Sequence, residues 1–216
     1  MTTGSMTIRR RVAVLAVGFL LTASGLLVQS QSTSAAPTAT SAGTFRGTFK
    51  IGSGSYFRMR FPSGRGYFKN PDSRARNKTF TLLRGGSRGG LVVGTYQGQP
   101  RRAFDSRGDS RAGSIIRPQG FAGIKFGLAT FSRNPGSNRR LPRPSLRLVG
   151  SRIYGQTSAL TAAWNRLYFN QGSSAVRGSY NRRTHVYTIG WSSRIHGGPF
   201  NGFIGSWHLH GRFSGR

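Results

Sequence analysis

The stretch that decides the fold lies near the C-terminus: His185-Val186-Tyr187-Thr188-Ile189-Gly190-Trp191-Ser192-Ser193, then His196-Gly197-Gly198-Pro199-Phe200-Asn201-Gly202, then Phe203-Ile204-Gly205-Ser206-Trp207-His208-Leu209-His210-Gly211-Arg212-Phe213. Large apolar residues recur at every second position on both sides of a glycine- and proline-rich turn. Successive side chains of a strand point to opposite faces, so this pattern predicts a long antiparallel hairpin with one buried face. Trp191 and Trp207 would anchor it in the core.

The same period of two runs back along the chain. Phe45, Phe49 and Ile51 alternate with Arg46, Thr48 and Lys50; Phe57, Met59 and Phe61 alternate with Tyr56, Arg58 and Arg60. Ile124, Phe126 and Leu128 oppose Lys125, Leu146 and Leu148 flank Arg147, and Leu167 and Phe169 flank Tyr168. Val176, Gly178 and Tyr180 alternate with Arg177 and Ser179. Clusters such as Asn70-Pro71-Asp72 punctuate these runs as turns. One short segment, Ser158–Trp164, reads equally as helix or strand. The prediction is all-β: a single antiparallel domain over residues 44–216, built as a β-sandwich or a closed meander barrel, since periodicity does not choose between them.

Residues 1–35 read as a signal peptide. Arg9-Arg10-Arg11 form a positive start, Val12–Val28 an apolar run, and Thr33-Ser34-Ala35 a small-x-small cleavage site. The run is 17 residues long and contains Gly18, Thr22, Ser24 and Gly25, at the short limit for an uncleaved anchor. Residues 36–43 are a flexible leader. The expectation is a secreted, extracellular or cell-envelope protein that meets a membrane only through the signal segment if it stays attached.

The 216 residues carry 33 Lys+Arg against 3 Asp+Glu, a net charge of +30. Lysine occurs only at positions 50, 69, 78 and 125, which leaves 29 arginines; the acids are Asp72, Asp105 and Asp109. Losing the signal peptide removes three charges and leaves +27 on the folded part. With no glutamate and no cysteine, a glutamate pair for glycoside hydrolysis, thiol chemistry, disulfides and Cys-ligated zinc are excluded. No cofactor is indicated.

A surface this positive attracts polyanions. The candidate contacts are the loop arginines Arg101, Arg102, Arg139, Arg140, Arg143, Arg182 and Arg183, and the candidate partners are anionic cell-wall polymer, anionic glycan or extracellular nucleic acid. Against this stands the bland reading, that arginine fills a solvated face. Two further functions are carried as alternatives: a carrier with an apolar cavity inside a barrel, and a hydrolase using serine and histidine.

Short motifs suggest other chemistry. Gly85-Gly86-Ser87-Arg88-Gly89 matches a serine-hydrolase string that needs a strand-to-helix turn, yet Leu91-Val92-Val93 follows it as a strand. The surrounding Arg84–Gly90 resembles an Arg-Gly-Gly RNA-binding segment, which works as a disordered array. His208 and His210 share a strand face and would need a further ligand for metal. Arg107-Gly108-Asp109-Ser110 spells an integrin-recognition tetrapeptide in turn-forming context, and Asn77-Lys78-Thr79 is a glycosylation sequon. The expected protein is non-catalytic, with no metal site.

Gly190–Phe203, followed by Trp207-His208-Leu209-His210-Gly211, resembles the C-terminal signature of small secreted actinobacterial-type β proteins of unknown function. Ser55–Arg60 and Tyr168-Phe169-Asn170-Gln171-Gly172 fit the same pattern. The resemblance implies secretion and a β fold but no catalytic residue. The arginine load is where this chain departs from that group.

Overall fold

The structure is a computed structural model and describes residues 42–216. The signal-peptide expectation, residues 1–35, lies outside the described residues, as does nearly all of the leader.

Among the described residues fourteen strands form, and all pair antiparallel: β1 Ala42–Thr44, β2 Gly47–Ile51, β3 Tyr56–Arg60, β4 Thr81–Leu82, β5 Gly90–Val92, β6 Gln119–Phe121, β7 Ile124–Thr130, β8 Ser145–Val149, β9 Arg152–Gln156, β10 Leu160–Trp164, β11 Leu167–Asn170, β12 Val176–Tyr180, β13 Val186–Arg194 and β14 Ile204–Gly215. The terminal hairpin is the spine. β13 and β14 pair from Val186↔Arg212 to Arg194↔Ile204, with Trp191 opposite Trp207 and their rings stacked at 6.1 Å. The turn between them closes with one 3-10 turn at Gly198–Phe200.

Two sheets result. The larger runs β1-β8-β9-β12-β13-β14-β2-β5, with β3 and β4 attached beside β14. The segment 42–51 pairs with β8 through β1 and with β14 through β2, so one piece of chain bridges the two ends of that order. The sheet therefore curls into a half-barrel. The second sheet, β11-β10-β7-β6, is built between β9 and β12 and before β8, so the chain leaves the curled sheet and returns. This order is not a meander.

β2 and β3 lie end to end along the same edge of β14, separated by Gly52-Ser53-Gly54-Ser55, four residues opposite Leu209 and His210. Ser55 is buried and clamps that bulge: its Oγ donates to His210 O at 2.9 Å and accepts from His210 N at 2.9 Å. The bulge redirects one strand around a corner of the curl.

The alternation predicts the faces well. Phe49, Ile51, Phe57, Met59, Leu146, Leu148, Ile189 and Leu209 are all buried. Two apolar positions differ. Phe61 is 38% exposed because β3 ends at Arg60, and it rests on Phe203 instead. Leu167 is 40% exposed at the first position after the β10–β11 turn. That turn places both Asn165 and Arg166 at positive φ, the two-residue geometry whose twist matches the flanking strands. The ambiguous segment is strand β10, with every residue buried, which explains why it shows no alternation.

Phe45, Phe49, Phe213 and Tyr187 pack ring on ring inside the curl, with centroids 4.8–5.0 Å apart. At the other end Phe57, Met59 and Trp207 meet Phe126, Trp164 and Phe169 of the small sheet around an apolar void of about 30 Å3.

Candidate anion-binding surface

The three acids are held by the fold. Asp105 Oδ1 accepts from the backbone N–H of Arg107 at 3.0 Å and of Asp109 at 2.9 Å, forming an Asx-type turn. Asp109 Oδ1 accepts from Lys125 N at 2.8 Å, and its Oδ2 lies 3.5 Å from Lys125 Nζ. Asp72 Oδ2 accepts from Gly123 N at 2.7 Å. The Lys125–Asp109 contact is the one ion pair among the described residues. The aspartate of the Arg107-Gly108-Asp109 tetrapeptide is thus engaged within its own loop, and Gly108 is buried against Asn165.

Arginines without carboxylates find other partners. Arg166 donates to Ser106 O, Arg194 Nη1 to Gly202 O and Arg212 Nε to Thr184 O. Others lie over aromatic rings: Arg58 over Tyr67 at 4.5 Å, Arg177 and Arg147 over Tyr154 at 5.0 and 5.6 Å, and Arg143 over Tyr96 at 5.5 Å. A guanidinium on a ring keeps its edge donors free while its face is satisfied.

The seven arginines singled out from the sequence are all exposed, but they do not form one group. Arg140 and Arg143 line a single concavity of about 610 Å3, joined by Arg133, Tyr96 and Ser132. The loop that presents them is locked. Arg133 and Arg140 face each other as a bridge, Leu141 N donates to Ser132 O at 2.9 Å, and Asn134 Oδ1 accepts from Gly136 N and Ser137 N. Tyr96 Oη donates to Leu141 O at 2.6 Å and so fixes the floor under Arg143. Arg139 lies in the same loop but off that wall. Arg101 and Arg102 sit in the loop between β5 and β6. Arg182 and Arg183 sit in the β12–β13 turn, where Asn181 Oδ1 accepts from Arg183 N and Thr184 N.

The outer face of the curled sheet adds strand cations outside the seven loop arginines. Register places Thr44, Arg147, Tyr154, Arg177, Gly190, His208 and Tyr56 in one row across β1, β8, β9, β12, β13, β14 and β3. Beside it, Arg152, Tyr154, Arg177, Ser179 and Thr188 border a hollow of about 410 Å3. The signal for this row was the polar phase of each strand, but only the register aligns the strands.

The histidines have separate partners. His208 stacks on Tyr56 at 4.8 Å, His210 Nδ1 lies 3.2 Å from Thr188 Oγ1, and His185 Nδ1 lies 2.7 Å from Tyr180 Oη. Burial, then His210 and Arg58, hold the His208 imidazole below the usual histidine range. No group of three metal-ligating side chains occurs among the described residues.

The Gly85–Gly89 string is not a strand-to-helix turn. Gly86 N, Ser87 N and Arg88 N donate to Ile115 O, Gly113 O and Ser114 O, and the chain enters β5 directly. The same bonds make Arg84–Gly90 an ordered loop and not a disordered Arg-Gly-Gly array. Asn77 Oδ1 accepts from Thr79 N at 3.1 Å in an exposed turn.

Compared with known proteins, the chain matches no family model, no curated protein and no solved structure.

Proposed function

We propose that this is a secreted, non-catalytic β protein whose cationic surface contacts anionic polymers at or outside the cell envelope. One observation carries the reading. Arg133, Arg140 and Arg143 border a concavity whose wall contains no carboxylate, on a loop held rigid by its own hydrogen bonds. Holding three cations together costs repulsion that no carboxylate on that wall relieves, whereas a bound polyanion would relieve it and release counterions. The row Arg147–Tyr154–Arg177 extends the same chemistry over the sheet. Its one ring, Tyr154, carries two guanidinium groups, which favours oxyanion contact over the base stacking that single-stranded nucleic acid uses.

The carrier reading gains no support from the interior. The apolar void of about 30 Å3 has room for a water-sized probe, while sites for small molecules run to roughly 300 Å3 or more.

Retention on a heparin column across a salt gradient tests the proposal. Late elution is expected. On a phosphate polymer, the Arg133→Gln/Arg140→Gln/Arg143→Gln variant should show a log K against log salt slope shallower by roughly 2 to 3 units. Elution at low salt, or an unchanged slope in the triple variant, would overturn it.

A further inference from the structure

A separate hollow lies where the curled sheet meets the small one. β4 and β6 approach each other there, and the cleft between them measures about 370 Å3. Its wall carries Arg74, Arg84 and Arg117 with Asp72. These come from three chain segments. Arg117 N donates to Arg84 O at 2.9 Å, which sets two of the cations side by side.

The carboxylate is placed with equal care. Asp72 Oδ2 accepts from Gly123 N at 2.7 Å, and Asp72 N donates to Asn70 Oδ1 at 3.2 Å. Asn70 is 1% exposed, and its Nδ2 donates to Thr81 Oγ1 and to Gly120 O, tying β4, β6 and the loop together. A Cβ at Gly120 would come within 2.9 Å of Asp72 Cβ, so the carboxylate lies against β6 only because position 120 is glycine. None of the three arginines comes within ion-pair distance of it.

A hollow that merely collects anions gains nothing from a carboxylate, which repels the ligand. An ionised carboxylate accepts hydrogen bonds only, so beyond the bond from Gly123 N its remaining lone pairs are suited to hydroxyl donors. We propose that this cleft binds an acidic sugar: a sugar-sized ligand carrying one oxyanion for the guanidinium groups and hydroxyls for Asp72. The volume falls within the range of small-molecule sites. Guanidinium groups grip phosphate and carboxylate by charge-assisted hydrogen bonds. The site shares no residue with the polymer-contact wall of Arg133, Arg140 and Arg143, and it stands without it.

Titration calorimetry of the full chain with glucose 6-phosphate, glucuronate, inorganic phosphate and glucose tests the assignment. At least one of the two acidic sugars should bind about tenfold more tightly than inorganic phosphate, the worth of one charge-assisted hydrogen bond, and glucose should not bind measurably. Which acidic sugar binds better tells phosphate from carboxylate recognition. Arg84→Gln/Arg117→Gln should weaken the acidic sugar by at least about tenfold. Asp72→Asn keeps an oxygen for Gly123 N. It should tighten inorganic phosphate while weakening the acidic sugar, a divergence that misfolding does not produce. Equal binding of phosphate and both acidic sugars, no binding of either sugar, or an Asp72→Asn variant that tightens all anions alike would overturn the proposal. Heparin retention without acidic-sugar binding would sink this site alone; the reverse would sink the polymer reading alone.

Discussion

Gln171 is the polar centre on which the terminal hairpin depends, and Gln171→Leu is the perturbation that tests this. The residue is 1% exposed. Its backbone oxygen accepts from Trp191 Nε1 at 2.8 Å, and its side-chain Oε1 accepts from Trp207 Nε1 at 3.3 Å and from Ser193 Oγ at 3.2 Å. Leucine retains the backbone oxygen, so Trp191 keeps its partner and Ser193 keeps Gln171 O at 3.2 Å. Trp207 Nε1 loses its only acceptor among the described residues. An orphaned buried donor costs about 1–3 kcal/mol, and the long 3.3 Å bond places this case near 2. For a folded unit of this size, 1 kcal/mol moves Tm by about 2–4 °C, so a fall of about 4–8 °C is expected in a calorimetric melt. Trp207→Phe removes the donor itself. The double variant should therefore lose at least about 1 kcal/mol less than the sum of the singles. A Tm within about 1 °C of wild type, or an additive cycle, would refute the reasoning.

Other expectations follow from single contacts. Ser55→Ala removes both bonds that clamp His210 across the bulge and should cost about 1–3 kcal/mol by urea titration, with the slope m unchanged. Gly86→Val should prevent folding or lower Tm sharply, since a Cβ at that position would overlap Gly113 O; a circular dichroism melt resolves it. His208 is held below its ordinary value of 6.5, so the unfolded chain binds its proton first and stability falls as pH drops through about 6.5, levelling once the folded imidazole protonates too. Denaturant midpoints from pH 7.5 to 5 should show that decline, and His208→Gln should flatten it.

Much of the fold is legible in the residues. The period of two from Phe45 to Phe213 identifies strands and their buried phase, because strand geometry sends neighbouring side chains to opposite faces whatever they pair with. β10 escapes that rule, since both its faces are covered and alternation vanishes. Phe61 and Leu167 escape it because both sit at strand ends, Phe61 one past the close of β3 and Leu167 at the opening of β11. The site was less legible. Of the seven arginines read as contacts, Arg140 and Arg143 share a concavity, and their third partner is Arg133, which lacked an adjacent arginine to mark it. Arg74 and Arg117 carry no local signal, and the Arg-Gly-Gly string at Arg84 points to other chemistry; the three are separated in sequence and brought together where the two sheets meet.

By itself, then, the amino-acid sequence determined an antiparallel β chain with arginine on its polar phase, and it excluded thiol and glutamate chemistry by simple absence. Tertiary structure alone decided that the sheet curls, that a second sheet closes one end, that Gln171 holds both tryptophans, and which cations meet. The reason is physical. Composition and period are local properties of the chain, whereas register, strand order and loop closure are set by contacts between residues far apart in sequence.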